Sequence, residues 1–204
     1  MTEPFFEILD TKNLHDGFIK LDIFTVRQKL MRGGATPPIT REIAANREVS
    51  AVLLYDPDRD QVVLIQQARL VAQLGGFQPI STEVVAGLIE PGESPEELAH
   101  REVAEEAGCA VIGPLLPIQR LMMSSGNLHQ PVNLYCGRVD AGSAGGYHGL
   151  AEEHEDIRVL VLDFDRFRDT LLAGGYDHAL VVVAGYWLLT HRDALRTRWP
   201  VTAL

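Results

Sequence analysis

The glutamates between residues 93 and 106 are the part of this sequence best suited to chemistry. Glu102 and Glu106 stand four residues apart, so on a helix their carboxylates share one face, with Cβ atoms about 5–6 Å apart. Arg101 and Glu105 have the same spacing and can pair with each other. Carboxylate oxygens suit Mg²⁺ or Mn²⁺ and suit zinc poorly. The segment therefore predicts a divalent-cation site built on one helix.

An acidic helix is more often a solvated face with a few ion pairs, which is the alternative to a metal site. Here the glutamates crowd the C-terminal half of the segment, where the helix macrodipole disfavours negative charge. A fold that keeps carboxylates at that end needs a compensating positive charge. A bound cation supplies it, so the sequence favours the metal site.

The residues on either side of these glutamates predict where the helix begins and ends. Ser94 is a natural N-cap, Pro95 suits the first helical position, and Glu97 completes a capping box. Gly108 can take a left-handed conformation at the C-terminal end. Ahead of the helix, we expect a glycine turn at residues 87–92.

Residues 87–109, GLIEPGESPEELAHREVAEEAGC, resemble the signature of the Nudix hydrolase superfamily. The matched positions are Gly87, Glu93, Arg101, Glu102, Glu105, Glu106 and Gly108, with Val103 at the internal aliphatic position. Cys109 departs from the family pattern, which usually has a larger aliphatic residue there. The resemblance implies hydrolysis of a nucleoside diphosphate linked to another moiety, through a divalent-cation cluster on the signature helix.

Composition narrows the class of protein and its partners. A chain of 204 residues that is 46% hydrophobic can bury one sizeable core. The net charge of −10 argues against nucleic acid or an anionic membrane as partner. Cys109 and Cys136 are too few for a disulfide scaffold, so we expect buried thiols. The sequence has no recognisable signal peptide or membrane-spanning stretch, and we expect a cytoplasmic location.

Hydrophobic periodicity places the motifs on strands and helices. Alternating residues predict a strand over residues 16–30, and two apolar runs at 49–56 and 61–68 predict a hairpin. A short strand is expected over 82–86. The other expected segments are a turn at 31–38, a polar stretch at 41–47, a loop at 70–82, strands at 115–123, 131–139 and 157–164, loops at 124–130 and 140–156, and helices at 165–173 and 179–192.

These elements predict an α/β fold, namely an α/β/α sandwich over a mixed sheet with an N-terminal antiparallel strand subdomain. This is also the Nudix fold. We expect the subdomain in residues 1–47 and the Nudix hydrolase domain in residues 48–204. A strand-rich piece of that size has too little core to be stable alone. A partner subunit is therefore expected to cover it.

Beyond the signature, the chain resembles bacterial dimeric ADP-ribose pyrophosphatases in residues 17–24, 41–43, 62–69, 83–94 and 148–159 and in the final helix. This resemblance implies Mg²⁺, with Mn²⁺ as an alternative, held by Glu102, Glu106, Glu155 and the backbone carbonyl of Ala86. It also implies Glu153 as the catalytic base, in a loop where Glu152, Glu155 and Asp156 compete for that role, with Glu105 as a second catalytic candidate.

The same resemblance implies contacts to the substrate. Phe18 would stack on the adenine, although a strand-core role is its alternative, and Arg69 would hold the diphosphate. Arg41 and Glu42 would come from the other subunit of a homodimer with shared active sites. The remaining implied contacts are Ile19, Leu88, Ser124, Ser125, Gly126 and Gln130. The loop lacks the Ser-Pro-Gly proline of the family, and Gln130 replaces a common acid, so the exact substrate stays open.

The sequence leaves three possible functions open. The first is Mg²⁺-dependent hydrolysis of ADP-ribose to AMP and ribose 5-phosphate. The second is hydrolysis of another nucleoside diphosphate sugar, such as GDP-mannose. The third is a non-catalytic, Nudix-like ligand sensor. The sensor is disfavoured because the signature glutamates are all present and the sequence has no basic helix that could engage DNA.

Overall fold

The computed structural model describes residues 4–199, and residues 1–3 and 200–204 of the expected domains lie outside that range. The strands are β1 (Phe6–Asp16), β2 (Lys20–Gln28), β3 (Ile39–Ala45), β4 (Val49–Asp56), β5 (Gln61–Ala68), β6 (Ile80–Glu83), β7 (Val85–Leu88), β8 (Leu116–Met122), β9 (Leu128–His129), β10 (Pro131–Arg138), β11 (Tyr147–His148) and β12 (Ile157–Asp163). The α-helices are α1 (Leu70–Leu74), α2 (Pro95–Ala107), α3 (Phe164–Leu172) and α4 (Ala179–Arg198).

The described residues form two compact units. The first contains residues 4–48 and 122–131, and the second contains residues 49–121 and 132–199. The N-terminal subdomain that we expected in residues 1–47 thus also includes a later return of the chain at 122–131. That return carries the polar loop at 124–130, which the linear sequence placed with the hydrolase domain.

The first unit is built on a four-stranded sheet in the order β1-β2-β3-β9. The pairs β1–β2 and β2–β3 are antiparallel, as expected, whereas β9 runs parallel to β3. The strand predicted over residues 16–30 is present as β2, but it begins only at Lys20, because residues 17–19 turn between β1 and β2. Register shifts interrupt β1 near Ile8 and Asn13. Such bulges break the period-two pattern by which a strand is recognised. The polar stretch at 41–47 also turned out to be largely strand, in β3.

The second unit contains a mixed sheet in the order β11-β12-β5-β4-β10-β8, with β6 paired to β5 and β7 paired to β4. Strand β4 runs parallel to β10 and antiparallel to β5, which confirms the predicted hairpin. Side chains alternate between the two faces of β4. Leu53 packs in a core with Phe167 of α3, whereas Val52 packs in a second core with Val103 of α2. Helices therefore cover both faces, and the predicted α/β/α sandwich is confirmed.

Several predicted boundaries in the second unit are wrong. The expected loop at 70–82 contains α1 and most of β6, and the expected strand at 82–86 is split between β6 and β7. The last helix continues to Arg198 rather than ending at 192. The loop at 140–156 holds β11 and short 3-10 turns at Ala141–Ser143 and Ala151–Glu153. Helix α1, strands β6, β7 and β11 and the two 3-10 turns are too short to show a periodic pattern of apolar residues.

Two further expectations concern single residues and membrane helices. Cys109 and Cys136 are buried free thiols, as predicted. Within residues 4–199, no helix combines the length and the apolar character that a bilayer crossing requires.

Candidate active site

Helix α2 has the caps that the sequence predicts. The Ser94 side chain accepts a hydrogen bond from the backbone N–H of Glu97, and the Glu97 carboxylate accepts one from the backbone N–H of Ser94 at 2.8 Å. Gly108 is left-handed, with φ of 62°. A Cβ at that position would also lie 2.1 Å from the His148 ring. Gly108 is therefore required both by the turn of the backbone and by the side chain packed on it.

Strand β7 lies against the two glutamates that share a face of α2. The backbone N–H of Ala86 donates to Glu106 Oε2 at 3.1 Å. A Cβ on the next residue, Gly87, would lie 2.2 Å from Glu102 Oε1. Gly87 belongs to β7 rather than to the turn that we expected, and Gly92 provides the left-handed residue, with φ of 89°. Gly87 is thus needed for the close approach of a carboxylate to the strand.

Both carboxylates on this face are poorly solvated. Glu106 is only 3% exposed, and burial raises its pKa to about 8. Burial also raises the pKa of Glu102 to about 7, against the opposing charge of Arg101. The last turn of α2 contains no basic residue. Since a buried anion at a helix C-terminus is costly, a proton or a nearby cation would favour the Glu106 carboxyl group in particular.

Arg101 holds the neighbouring signature carboxylates. Its Nε donates to Glu93 Oε1 at 3.1 Å, and its Nη1 donates to Glu105 Oε2 at 2.9 Å. The same Nη1 lies 3.1 Å from Glu102 Oε1. The predicted pair between Arg101 and Glu105 is therefore confirmed. The carboxylate of Glu105, our second catalytic candidate, is engaged in this ion pair.

The acidic loop, defined as residues 140–156, is hydrogen-bonded to the C-terminal half of α2. The backbone N–H of Gly149 donates to the Glu105 carbonyl oxygen at 3.2 Å. Glu155 Oε2 accepts from the backbone N–H of Leu150 at 3.0 Å, while Glu153 is exposed in its 3-10 turn. The charge of Glu155 raises the pKa of both Glu102 and Glu106. The loop carboxylates thus lie within electrostatic range of the helix carboxylates.

The donors fit a hard divalent cation in their chemistry, since all of them are oxygen atoms. Glu102 and Glu106 supply two carboxylates, and β7 places the backbone of Ala86 beside them. Over residues 4–199, no three or more His, Cys, Asp or Glu side chains lie close enough together to hold a metal as they stand. Glu155 uses Oε2 to accept from the Leu150 amide, which leaves its Oε1 as a further oxygen donor.

A cleft of about 550 Å³ opens beside the acidic loop, and it is lined by residues that include Gln66, Arg69, Tyr147, Glu153, Glu155 and Arg158. Two of the predicted site residues on the loop and the predicted diphosphate-binding Arg69 therefore share one cavity. Arg69 is not a free fork, however. Its Nε and Nη2 donate to the two carboxylate oxygens of Glu83 at 2.9 and 2.8 Å. The Nη1 edge does not donate to Glu83 and faces away from this pairing.

Phe18 and Ile19 lie in the turn between β1 and β2 of the first unit. Phe18 is 77% exposed and Ile19 is 47% exposed, so the strand-core alternative for Phe18 is wrong. Phe18 also lines a concavity of about 350 Å³ in this unit, together with Lys20 and Arg47. Leu88, by contrast, ends β7 in the second unit and is half-buried.

The other predicted substrate contacts also belong to the first unit. Arg41 and Glu42 are exposed on β3. The loop at 124–130 joins them because β9 pairs with β3, and because Gln130 Nε2 donates to the Arg47 carbonyl oxygen at 3.2 Å. At the start of that loop, the Ser124 hydroxyl donates to Asn127 Oδ1 at 2.8 Å. Residues far apart in sequence, including Ser125 and Gly126, are thereby collected in one unit.

Glu83, which is 4% exposed at the end of β6, was not among the residues expected at the site. Burial opposes its ionisation, yet the ion pair with Arg69 lowers the pKa of Glu83 below its ordinary value. A charged residue beside the apolar pair Val84-Val85 was the available indication. A buried acid in a strand is rare unless it is paired, so that position could have been singled out.

The chain matches one family model and several known proteins over most of its length. The family model described as NUDIX domain matches residues 44–167. The chain is 38% identical over 193 residues to an ADP-ribose pyrophosphatase of Escherichia coli (strain K12), covering 95% of this chain and 92% of the relative. It is 36% identical over 196 residues to that of Haemophilus influenzae, covering 95% and 90%. A GDP-mannose pyrophosphatase of Pectobacterium atrosepticum is 30% identical over 165 residues, covering 80% and 83%.

Proposed function

This chain belongs to the Nudix family, and from that premise we propose that it is a divalent-cation-dependent hydrolase that splits the diphosphate bond of ADP-ribose. The products are AMP and ribose 5-phosphate. The observation that carries the proposal is the carboxylate pair set against β7, in which Glu106 is buried and Glu102 is partly buried. Similarity to ADP-ribose pyrophosphatases over nearly the whole chain supports this choice of substrate.

The proposed cation is Mg²⁺, with Mn²⁺ as an alternative, held by Glu102, Glu106, Glu155 and the Ala86 carbonyl. When bound, it supplies positive charge against the diphosphate and lowers the pKa of water. Its charge would also offset the unfavourable ionisation of the two carboxylates, because burial raises the pKa of both Glu106 and Glu102. The six-coordinate oxygen chemistry of Mg²⁺ supports the choice, because every proposed donor is oxygen.

Two side chains of the cleft have distinct proposed roles. Arg69 offers its Nη1 edge to the diphosphate, while Glu83 accepts one hydrogen bond from each of the other two guanidinium nitrogens. Glu153 is the proposed base, which takes a proton from the attacking water. Its exposure on a short 3-10 turn leaves the carboxylate accessible to that water. Glu155 lies two residues further along the same loop and contributes charge near the helix pair.

The direct test incubates the purified protein and Mg²⁺ with ADP-ribose, GDP-mannose, NADH and a diadenosine compound, and identifies the products by chromatography. We expect AMP and ribose 5-phosphate from ADP-ribose at a higher kcat/KM than for the other three compounds. Preferred hydrolysis of GDP-mannose, which the more distant relatives act on by name, would replace the substrate but keep the reaction. No hydrolysis of any compound would favour the ligand sensor.

We also propose a homodimer in which the first unit contributes to the partner's active site. Every residue of β1 is exposed in the described chain, and the exposed side chains include Phe6, Ile8 and Leu14. An edge strand with several exposed apolar side chains is a pairing surface. The exposed positions of Arg41 and Glu42 on β3 are consistent with their donation to another subunit.

Subunit mixing tests the shared site. In a mixed dimer of Arg41→Ala and Glu106→Gln subunits, one site collects both defects and the other collects none. Random exchange of equal amounts should therefore recover roughly a quarter of the wild-type activity, because half of the dimers are mixed and half of their sites are intact. Exchange must first be demonstrated, for instance by refolding tagged subunits together. Activity that stays at the parental level after proven exchange would place Arg41 in the site of its own chain.

The cytoplasmic location stays a prediction from the sequence. It predicts that the enzyme acts on nucleotides of the cell interior, which fractionation of the cells would test.

A further inference from the structure

The ion pair between Arg69 and Glu83 has an unusual division of exposure. The Arg69 side chain is 47% exposed, whereas the side chain of Glu83 is 5% exposed. Burying a carboxylate costs free energy that an ion pair often does not fully return. A half-exposed arginine has no need of a buried partner, because water can solvate it. A buried carboxylate held against a cleft-lining guanidinium therefore calls for an explanation other than stability.

The geometry of the pair fixes the orientation of the guanidinium. Both oxygens of Glu83 accept, one from Nε and one from Nη2, at 2.9 and 2.8 Å. Two parallel hydrogen bonds hold the planar group in one plane and one rotation. The backbone adds a further restraint, since the Arg69 N–H donates to the Pro79 carbonyl oxygen at 2.8 Å. The Nη1 edge, formed by Nη1 and the second N–H of Nη2, is the part of the guanidinium that this pairing leaves for a ligand.

Glu83 also connects the cleft to the strand beside the helix carboxylates. It is the last residue of β6, and β7 begins two residues later and carries Ala86 and Gly87. The hydrogen bonds to Glu83 raise the pKa of Arg69 most, and the charges of Glu106 and Glu155 add to it, so the guanidinium lies within electrostatic range of both. Anchoring Arg69 to β6 thus sets its distance from the strand that bears Ala86.

We propose that Glu83 is a positioning residue, which holds the Arg69 guanidinium so that its Nη1 edge faces the diphosphate of the substrate. The proposal rests on the proposed function, because it takes Arg69 to be the diphosphate contact. Glu83 itself touches no substrate. Its buried position and its bidentate grip on a cleft-lining arginine are the observations that carry the assignment.

The test is a double-mutant cycle on Glu83 and Arg69, with ADP-ribose as substrate at saturating Mg²⁺. Glu83→Gln keeps one acceptor and the shape but replaces the second oxygen with a donor that opposes Arg69 Nη2. Misplacing a binding group by about 1 Å can cost up to about 100-fold. We expect KM to rise about 10- to 100-fold with kcat changed by less than about threefold, because the contact is made in both ground and transition states.

In the Arg69→Ala background, adding Glu83→Gln should leave KM within about twofold, since there is no guanidinium left to position. Equal losses in both backgrounds, or an unchanged KM in the single variant, would overturn the assignment. The matched control is Asp60→Asn, which breaks another partly buried pair of the same unit, the one with Arg192. It should lower the melting temperature and leave KM unchanged. A raised KM in this control would attribute the effect to general loosening and also overturn the assignment.

A failure of the proposed function can be distinguished from a failure of the role proposed for Glu83. If the wild-type protein leaves ADP-ribose intact but hydrolyses another diphosphate compound of the panel, the same cycle is run on that compound with the same two outcomes. If Glu83→Gln does not fold, Glu83→Asp replaces it, because the shorter carboxylate keeps the charge but cannot reach both nitrogens. A KM increase that vanishes without Arg69 supports the assignment in either variant, and an unchanged KM refutes it.

Discussion

Replacing Glu106 by glutamine should affect stability and activity in opposite directions. The Glu106 carboxyl is 3% exposed, and its pKa is raised by burial from 4.5 to about 8. Between those two pH values the folded protein keeps a proton that the unfolded chain has released. The stabilising contribution of this carboxyl is therefore full below pH 4.5 and is lost as the pH rises to 8. Glutamine keeps the shape and removes this titration.

The expected magnitude follows from the two pKa values. Their separation corresponds to about 4–5 kcal/mol of unfolding free energy in the cation-free protein. For a chain of this size, 1 kcal/mol shifts the melting temperature by about 2–4 °C. The Glu106→Gln protein should thus gain about 10 °C or more over the wild type at pH 8.5, and almost nothing at pH 4.5. With Mg²⁺, turnover should fall about 100- to 1,000-fold.

The assay is thermal unfolding of both proteins in a chelating buffer between pH 4.5 and 8.5, repeated with Mg²⁺. The wild type should be stabilised by Mg²⁺ at pH 8, and the variant should lose most of that gain. Asp193→Asn is the matched control, because the side chain of Asp193 is 96% exposed and replacing it should leave the pH dependence unchanged.

The reasoning would be refuted by a difference in melting temperature that does not widen between pH 4.5 and 8.5 in chelator. That result would mean that the Glu106 carboxyl is solvated in the folded protein. Near-normal turnover of Glu106→Gln at ordinary Mg²⁺ would separately remove this residue from the metal site.

Three further outcomes are expected. Glu153→Gln should lower kcat about 100-fold or more at saturating Mg²⁺ with little change in substrate affinity. In the same steady-state assay, the activity of Glu155→Gln should be partly restored by a higher Mg²⁺ concentration, and the reverse pattern would exchange the two roles. Gly87→Ala should displace the Glu102 carboxylate, because Glu102 Oε1 would lie 2.2 Å from the new Cβ. A metal titration should then show Mg²⁺ activation weakened about 10- to 100-fold, and an unchanged titration would contradict the close contact. Ser94→Ala removes a capping side chain and should lower the free energy of unfolding by about 1 kcal/mol, with an unchanged dependence on urea concentration. An unchanged midpoint of urea unfolding would show that the cap does not contribute to stability.

The signature helix could be predicted from the sequence because its determinants are local. Ser94, Pro95, Glu97 and Gly108 act within one turn of the helix ends, so spacing alone is informative. The four-residue spacing of Arg101 and Glu105 likewise predicted an ion pair that the structure contains. The hairpin of β4 and β5 was also predictable, because its apolar runs are adjacent in the chain.

Elements that depend on partners distant in sequence were not predictable in the same way. Strand β1 carries register shifts that erase its alternation, and α1 buries none of its residues, so neither has a regular apolar pattern. Strand β9 is two residues long and exists because β3 lies beside it. Its pairing assigns the loop at 124–130 to the first unit, which no local feature of that loop could indicate.

The sequence by itself determined the helix, the spacing of its carboxylates and the mixed α/β pattern, since these depend on neighbours within a few residues. The tertiary structure decided the environment of those groups. In the folded chain the side chain of Glu102 packs against Gly87, and the Ala86 N–H donates to Glu106. The Arg69 guanidinium pairs with the buried Glu83. Burial and electrostatic range depend on which distant segments meet, and the raised pKa values of the carboxylate pair arise from that meeting.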